Sequence, residues 1–271
     1  MKNIISHLQI MTNKKGFQIT FLLLVFYALG VSVAEAVLQR GTEVTWLYHP
    51  ASLTALNDNL AVSYYFVECY PFLAVLPACF SLFHDRTLGV DVMMKSRMGE
   101  RQYYFSKAAA AFCLSFFTFT VPFLLELLLN VLIFPLEAAR DVNGWSPYNT
   151  AYLSMSEEYL LSDLFFKNQY IYCIVIILLV GLFSGCAAVF TLGISCFRIK
   201  YQVFLFLPVY LIIYISITQG TDKLDTNLQH YLLHSGGIGD ISFLYYLVVM
   251  AVMLLVGAGC IAGNMKRNEL A

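Results

Sequence analysis

Charge is scarce in this chain. Only 12% of its 271 residues are Asp, Glu, Lys or Arg, against 59% hydrophobic, where soluble domains carry roughly a quarter charged residues. No polar segment exceeds about 35 residues, which leaves no room for an ATPase, kinase or sensor domain. The phosphate-cradling GxxxxGK[ST] loop is missing, so no nucleotide site of that kind is expected on this chain. No HExxH motif or Ser/His/Asp set falls within the apolar runs, and the sequence reads as non-enzymatic, with no catalytic residue to name. All seven cysteines (Cys69, Cys79, Cys113, Cys173, Cys186, Cys196 and Cys260) lie in apolar runs. That placement excludes a disulfide framework and a CxxC metal or redox site, and leaves small, polarizable packing residues.

What is present is apolar length. Six stretches stand out: Phe17–Leu38, Ala61–Phe83, Ala108–Pro135, Gln169–Phe197, Val203–Gln219 and Ile241–Gly263. About 20 apolar residues in a helix cross the hydrocarbon layer. Five stretches have that length, while Val203–Gln219 is marginal and carries Pro208. The runs lack the alternation of barrel strands, and in lipid only helices or closed barrels satisfy their own backbone. The expected fold is therefore an all-α integral membrane protein with six transmembrane helices. Residues 1–16 form an N-terminal interfacial helix, 17–263 the membrane domain and 264–271 a tail. Ile4, Leu8 and Met11 share one face of the first segment, and its lysines suit anionic headgroups, so membrane lipid is an expected contact. The first run is too long for a signal-peptide core and is read as a retained span.

The few charges assign sides. Lys2, Lys14, Lys15, Arg86, Lys95, Arg97, Arg101, Lys107, Arg198, Lys200, Lys266 and Arg267 fall in one set of alternating segments. Only Arg40, Arg140, Lys167 and Lys223 fall in the other set, which covers 39–60, 136–168 and 220–240. Twelve against four places both termini in the cytoplasm of a multi-pass cell-membrane protein. Nothing in this distribution resembles a nucleic-acid surface.

Within the spans, Pro71, Pro77, Pro122 and Pro208 predict bends. Gly181-x-x-x-Gly185, Gly193, Gly257 and Gly259-x-x-x-Gly263 predict close helix approach, by default within one subunit. Glu68 and Glu126 sit inside the second and third runs. A carboxylate there is costly unless paired or hydrated, which makes both candidates for a polar pathway or for packing by a neutral carboxyl. His230 and His234 have helical ligand spacing but lack a defined third ligand, so no metal is expected. Glu157-Glu158 is a pair outside the spans, without the arginine that membrane-embedded CAAX-type proteases place three residues on; Leu161 stands there.

The cytoplasmic segment 84–107 is compact and mixed in charge, and Val90, Met93, Met94 and Met98 recur at helical spacing. Such a helix suits a socket on another protein. Asp85 and Gly89 follow the second run, and Arg101, Tyr104 and Lys107 lead into the third. In this layout the chain resembles the permease subunits of type-2 ABC exporters. The resemblance covers nearly the whole chain in span count and the compact first loop. It departs from many relatives in its long outer segment 136–168. The resemblance implies that a separate subunit binds ATP and Mg, with no cofactor on this chain. It also implies that a second permease copy or paralogue completes the pathway. Asp85, Gly89, Asp91, Arg97, Glu100, Arg101, Tyr104 and Lys107 would then couple the spans to the ATPase. Expected cargo is amphipathic: an antimicrobial peptide, a drug, a lipid or a glycan. The other reading is a non-transporting accessory or immunity protein of the membrane.

Overall fold

The structure is a computed structural model describing residues 2–42, 49–57, 61–78, 80–136, 160–197, 201–218, 226–233 and 242–269. The Glu157-Glu158 pair, His234, Cys79 and residues 137–159 lie outside the described residues. The described residues are all-helical, and among them five helices are long and apolar enough to cross a membrane.

The chain begins with α1 (Lys2–Thr12) and, after a two-residue joint, the long apolar α2 (Lys15–Leu38). A 3-10 turn at Pro50–Leu53 precedes α3 (Ala61–Val75) and α4 (Phe80–Thr87), which together make the second long apolar unit. That unit breaks at Leu76–Ala78, around Pro77, while α3 and α6 run through Pro71 and Pro122. A proline lacks its own amide donor and disfavours helical geometry in the residue before it, which places the break at Leu76. The short α5 (Val90–Met98) leads into α6 (Glu100–Ile133), the longest helix. Gly89 (φ 68°) and Gly99 (φ 82°) bound α5. Both turns use left-handed or related positive-φ backbone that a Cβ opposes. Next come α7 (Ser162–Lys167) and α8 (Gln169–Ile194), whose start is capped by the Asn168 side chain accepting from the amides of Tyr170 (3.0 Å) and Ile171 (3.1 Å).

The fifth apolar stretch divides into a 3-10 turn at Gln202–Leu205 and α9 (Leu207–Thr218). Pro208 lies in the first turn of α9, where its missing N–H is harmless. With 12 residues, α9 rises about 18 Å, short of the roughly 30 Å layer. The five-residue α10 (Leu228–Leu232) follows and buries Leu228, Tyr231 and Leu232, and α11 (Phe243–Glu269) closes the chain.

At the centre of the bundle, α8 packs along α6, α11 and α3. Its glycines explain the close approach. A Cβ on Gly193 would strike the backbone of Gly257, and one on Gly257 would meet the backbone of Val189 and Phe190. Gly181 and Gly185 face Phe116, Thr120 and Phe112 of α6. These motifs join helices within one subunit, whereas Gly259 and Gly263 look into open space. Two tyrosines tie further helices to α8. The Tyr70 hydroxyl pairs with Ser184 Oγ (2.7 Å), and the Tyr246 hydroxyl donates to the Leu179 carbonyl (3.2 Å). A buried ring needs such an outlet for its polar end. By contrast α2 and α11 present mostly aliphatic outer faces, including Leu22, Phe26 and Val33 on one and Leu244, Val252 and Leu255 on the other.

The face of α1 read as a lipid anchor has a different partner. Met11 is buried, and Ile4 and Leu8 pack with it on a core shared with α4, α6 and α11. Fully burying a Met stabilises by about 1.5–3 kcal/mol, so α1 is docked on protein. Its other side carries exposed Ile5 and Ile10.

Candidate functional site

Where α1 meets the roots of α4 and α6, polar side chains converge beneath α5. Asp85 of α4 is the hub. It receives Lys107 Nζ from α6, Lys14 Nζ from the α1–α2 joint (3.2 Å) and the Tyr103 hydroxyl (3.1 Å). Both lysines also donate to the Ser81 carbonyl, at 3.2 Å for Lys107 and 3.3 Å for Lys14. That carbonyl lies four residues before Asp85, on the same helix. Lys107 is 1% exposed, and its stem lies in the core while its ammonium fills a nest of oxygens. A buried cation is tolerated only when paired and hydrogen-bonded in this way.

A second tier rests on the first. Asp91 and Lys95 pair within α5 at 3.3 Å, and the Lys95 ammonium lies over the Tyr104 ring, 5.1 Å from its centroid. Tyr104 in turn accepts from Asn264 Nδ2 of α11 at 3.0 Å. Arg86 donates to the carbonyls of Ser195 (2.9 Å) and Cys196 (3.2 Å). A cation there satisfies terminal carbonyls and suits the negative end of the α8 dipole. The ring of His7, from α1, stands edge-on to Tyr103 at 5.5 Å. Burial, followed by the nearby Lys107, holds its imidazole pKa below the ordinary value of 6.5.

The residues expected to couple the spans to a partner therefore divide. Asp85, Asp91, Tyr104 and Lys107 are buried in this network, and Gly89 shapes the turn into α5. Arg97 and Arg101 are exposed and Glu100 is half-buried at the start of α6. Within α5 the methionines also divide. Met94 and Met98 turn inward, while Met93 (60% exposed) and Val92 (67%) turn outward. The spacing alone grouped Met93 with the inward pair. Sequence reasoning passed over Lys14, Ser81, Arg86, Tyr103 and Asn264. Tyr103 could have been found, since it lies four residues before Lys107 and the two bond at 3.1 Å along α6.

The two pathway candidates sit in unlike places. Glu126 is fully buried, and its Oε1 accepts from the Ala55 amide (2.6 Å). Glu68 lies on an exposed stripe of α3 formed by Tyr64, Tyr65, Glu68, Cys69 and Phe72, and accepts from Gln229 Nε2 at 3.4 Å. Phe72 continues the stripe onto α9, with ring centroids 5.7 Å from Tyr210, which stacks on Tyr214 at 6.0 Å. His230 contacts Asn227, and among the described residues no group of three or more His, Cys, Asp or Glu is placed to hold a metal. Comparison of the chain with family models, with curated proteins and with solved structures finds no match.

Proposed function

We propose that this chain is the membrane-spanning permease subunit of an ATP-driven exporter of the type-2 class. It has six spans and both termini in the cytoplasm, α9 and the turn before it making the fifth crossing. The observation that carries this reading is the mounting of α5. On one side α5 is braced through Asp91–Lys95 and Tyr104, next to the Asp85–Lys107 cluster that joins α4 to α6. On its other side it presents Val92, Met93 and Arg97. A short helix with an open apolar and basic face, rooted in two long apolar units, suits the transfer of force from a partner. ATP and Mg bind that partner, and its nucleotide state biases the spans only through contacts that change at this face.

The α3 stripe supports the second half of the reading. Glu68 lies about 10 Å along α3 from its first residue, and an exposed carboxylate at that depth is expensive against lipid. A second permease copy across a hydrated pathway removes that cost. Tyrosine rings around a carboxylate favour a cationic amphipathic cargo, such as a basic peptide or drug, over an anionic one.

The test is co-expression with any P-loop ATPase that a neighbouring reading frame encodes, followed by purification through a tag on the permease. The ATPase should co-purify, and Met93→Asp with Arg97→Glu should release it without lowering folded permease yield. Unchanged ATPase association together with unchanged export in that variant would remove α5 from this role.

A further inference from the structure

At the opposite end of the bundle from α5, α6 holds the Pro50–Asn57 loop through two side chains one turn apart. The Ala55 amide donates to Glu126 Oε1 at 2.6 Å, and Asn130 Nδ2 donates to the Leu53 carbonyl at 3.1 Å. The Ala55 carbonyl also accepts from the hydroxyls of Ser63 (2.9 Å) and Tyr27 (3.3 Å). Glu126 and Asn130 are both 0% exposed, yet among the described residues Glu126 Oε2 and Asn130 Oδ1 have no hydrogen-bond partner. The Asn130 amide cannot be turned to relieve this, because its nitrogen is required against the Leu53 carbonyl.

An ionised Glu126 would thus place three buried acceptor oxygens, Oε1, Oε2 and Oδ1, beside one amide donor from Ala55. Buried polar atoms are nearly always satisfied, so this shortage of hydrogens points to a missing one. We propose that Glu126 is a proton-binding site, and that its bound proton clasps the Pro50–Asn57 loop to α6. Residues four apart on a helix face one another. A proton on Oε2 makes the carboxyl a donor to Asn130 Oδ1, and both orphaned atoms are satisfied by that single bond. The chain of bonds then runs from the Ala55 amide through the carboxyl and Asn130 to the Leu53 carbonyl, back onto the same loop. The titratable groups facing Glu126 are Tyr27 of α2 and Cys173 of α8. Just before the loop stands His49, whose Nδ1 accepts from the Ala51 amide. Loss of the proton leaves the acceptors unmatched, so opening of the loop and deprotonation are linked. This inference does not depend on the exporter reading.

Two measurements on the full chain in detergent test it. The infrared difference between wild type and Glu126→Gln should contain the carbonyl band of a protonated carboxyl at neutral pH. Carboxylate stretches in its place would overturn the proposal, and would leave a buried water or cation to satisfy Oε2. The second measurement uses a single cysteine at Ala51, in a background without native cysteines. Its labelling rate is compared with that of the same cysteine in Glu126→Gln at each pH. Gln reproduces every bond of the protonated carboxyl and cannot release a proton. The ratio of wild type to variant should rise about tenfold per pH unit once the carboxyl titrates, as linkage to one proton requires. A flat ratio, or a Gln variant that does not fold, would also overturn it.

Discussion

Lys107 of α6 and Asp85 of α4 form a buried ion pair across the root of the hairpin that α5 closes, their side chains 1% and 9% exposed. Twenty-two residues of chain separate them. The pair joins the two long apolar units at the point where α5 leaves one and returns to the other. Lys14 enters the same pair from the α1–α2 joint, so the joint, α4 and α6 share one carboxylate.

Lys107→Met should destabilise the fold by less than the roughly 3–5 kcal/mol that a wholly unpaired buried charge costs, because Lys14 still pairs with Asp85 at 3.2 Å. Adding Asp85→Asn should cost less than it does in the wild type, because the carboxylate it removes has already lost its most buried partner. Thermal unfolding of the detergent-solubilised chain reads both effects. Strictly additive losses in the double variant would show that the two side chains do not act as a pair.

Gly193→Leu should be among the most damaging single changes in the chain. Its side chain would enter the space held by the Gly257 backbone, and overpacking costs about 1–3 kcal/mol or more. Gly263→Leu should be nearly neutral, since a Cβ there meets nothing. Comparing folded yields of the two variants checks the prediction, and equal yields would contradict the α8–α11 contact.

Stability should fall as pH drops from about 6.5 toward about 4 through His49, whose imidazole is pushed down to about 4 by burial. In that window the unfolded chain binds a proton that the folded chain refuses, so the folded state loses ground on acidification. Protonation also removes the Nδ1 lone pair that accepts from the Ala51 amide at 3.2 Å. His49→Asn retains an acceptor for that amide and should flatten this part of the profile, measured as melting temperature against pH.

Glu68→Gln should leave folded yield unchanged and, under the proposed exporter role, alter export or cargo preference. Exposed substitutions usually change stability by no more than about 0.5 kcal/mol, and the Glu68 bond to Gln229 is long at 3.4 Å. Glu126→Leu should do the reverse, lowering folded yield because the Ala55 amide loses its acceptor. Assays of yield and of export on both variants separate the two carboxyls. A Glu68→Gln variant that fails to accumulate would assign Glu68 a structural role.

Helix existence and type were legible in the sequence because apolar length is a local, additive property of a segment. Five of the six stretches form helices long and apolar enough to cross a membrane, and the stretch marked as marginal is the short one. The α5 turn glycines and the Gly193 and Gly257 approach were also within reach, since glycine at such spacing has few other uses. What the sequence by itself determined is therefore an all-helical chain with apolar spans and a compact charged connection at 84–107. Tertiary structure decided which face each residue presents. Spacing grouped Met93 with Met94 and Met98, and it could not tell that α1 would find α6 in place of lipid. It could not separate Glu68 from Glu126 either, because a carboxylate in an apolar run looks the same whether it faces outward or bonds a loop amide 71 residues away. Burial, charge pairing and hydrogen-bond satisfaction are properties of contacts distant in sequence, and only the packed bundle brings those contacts into being.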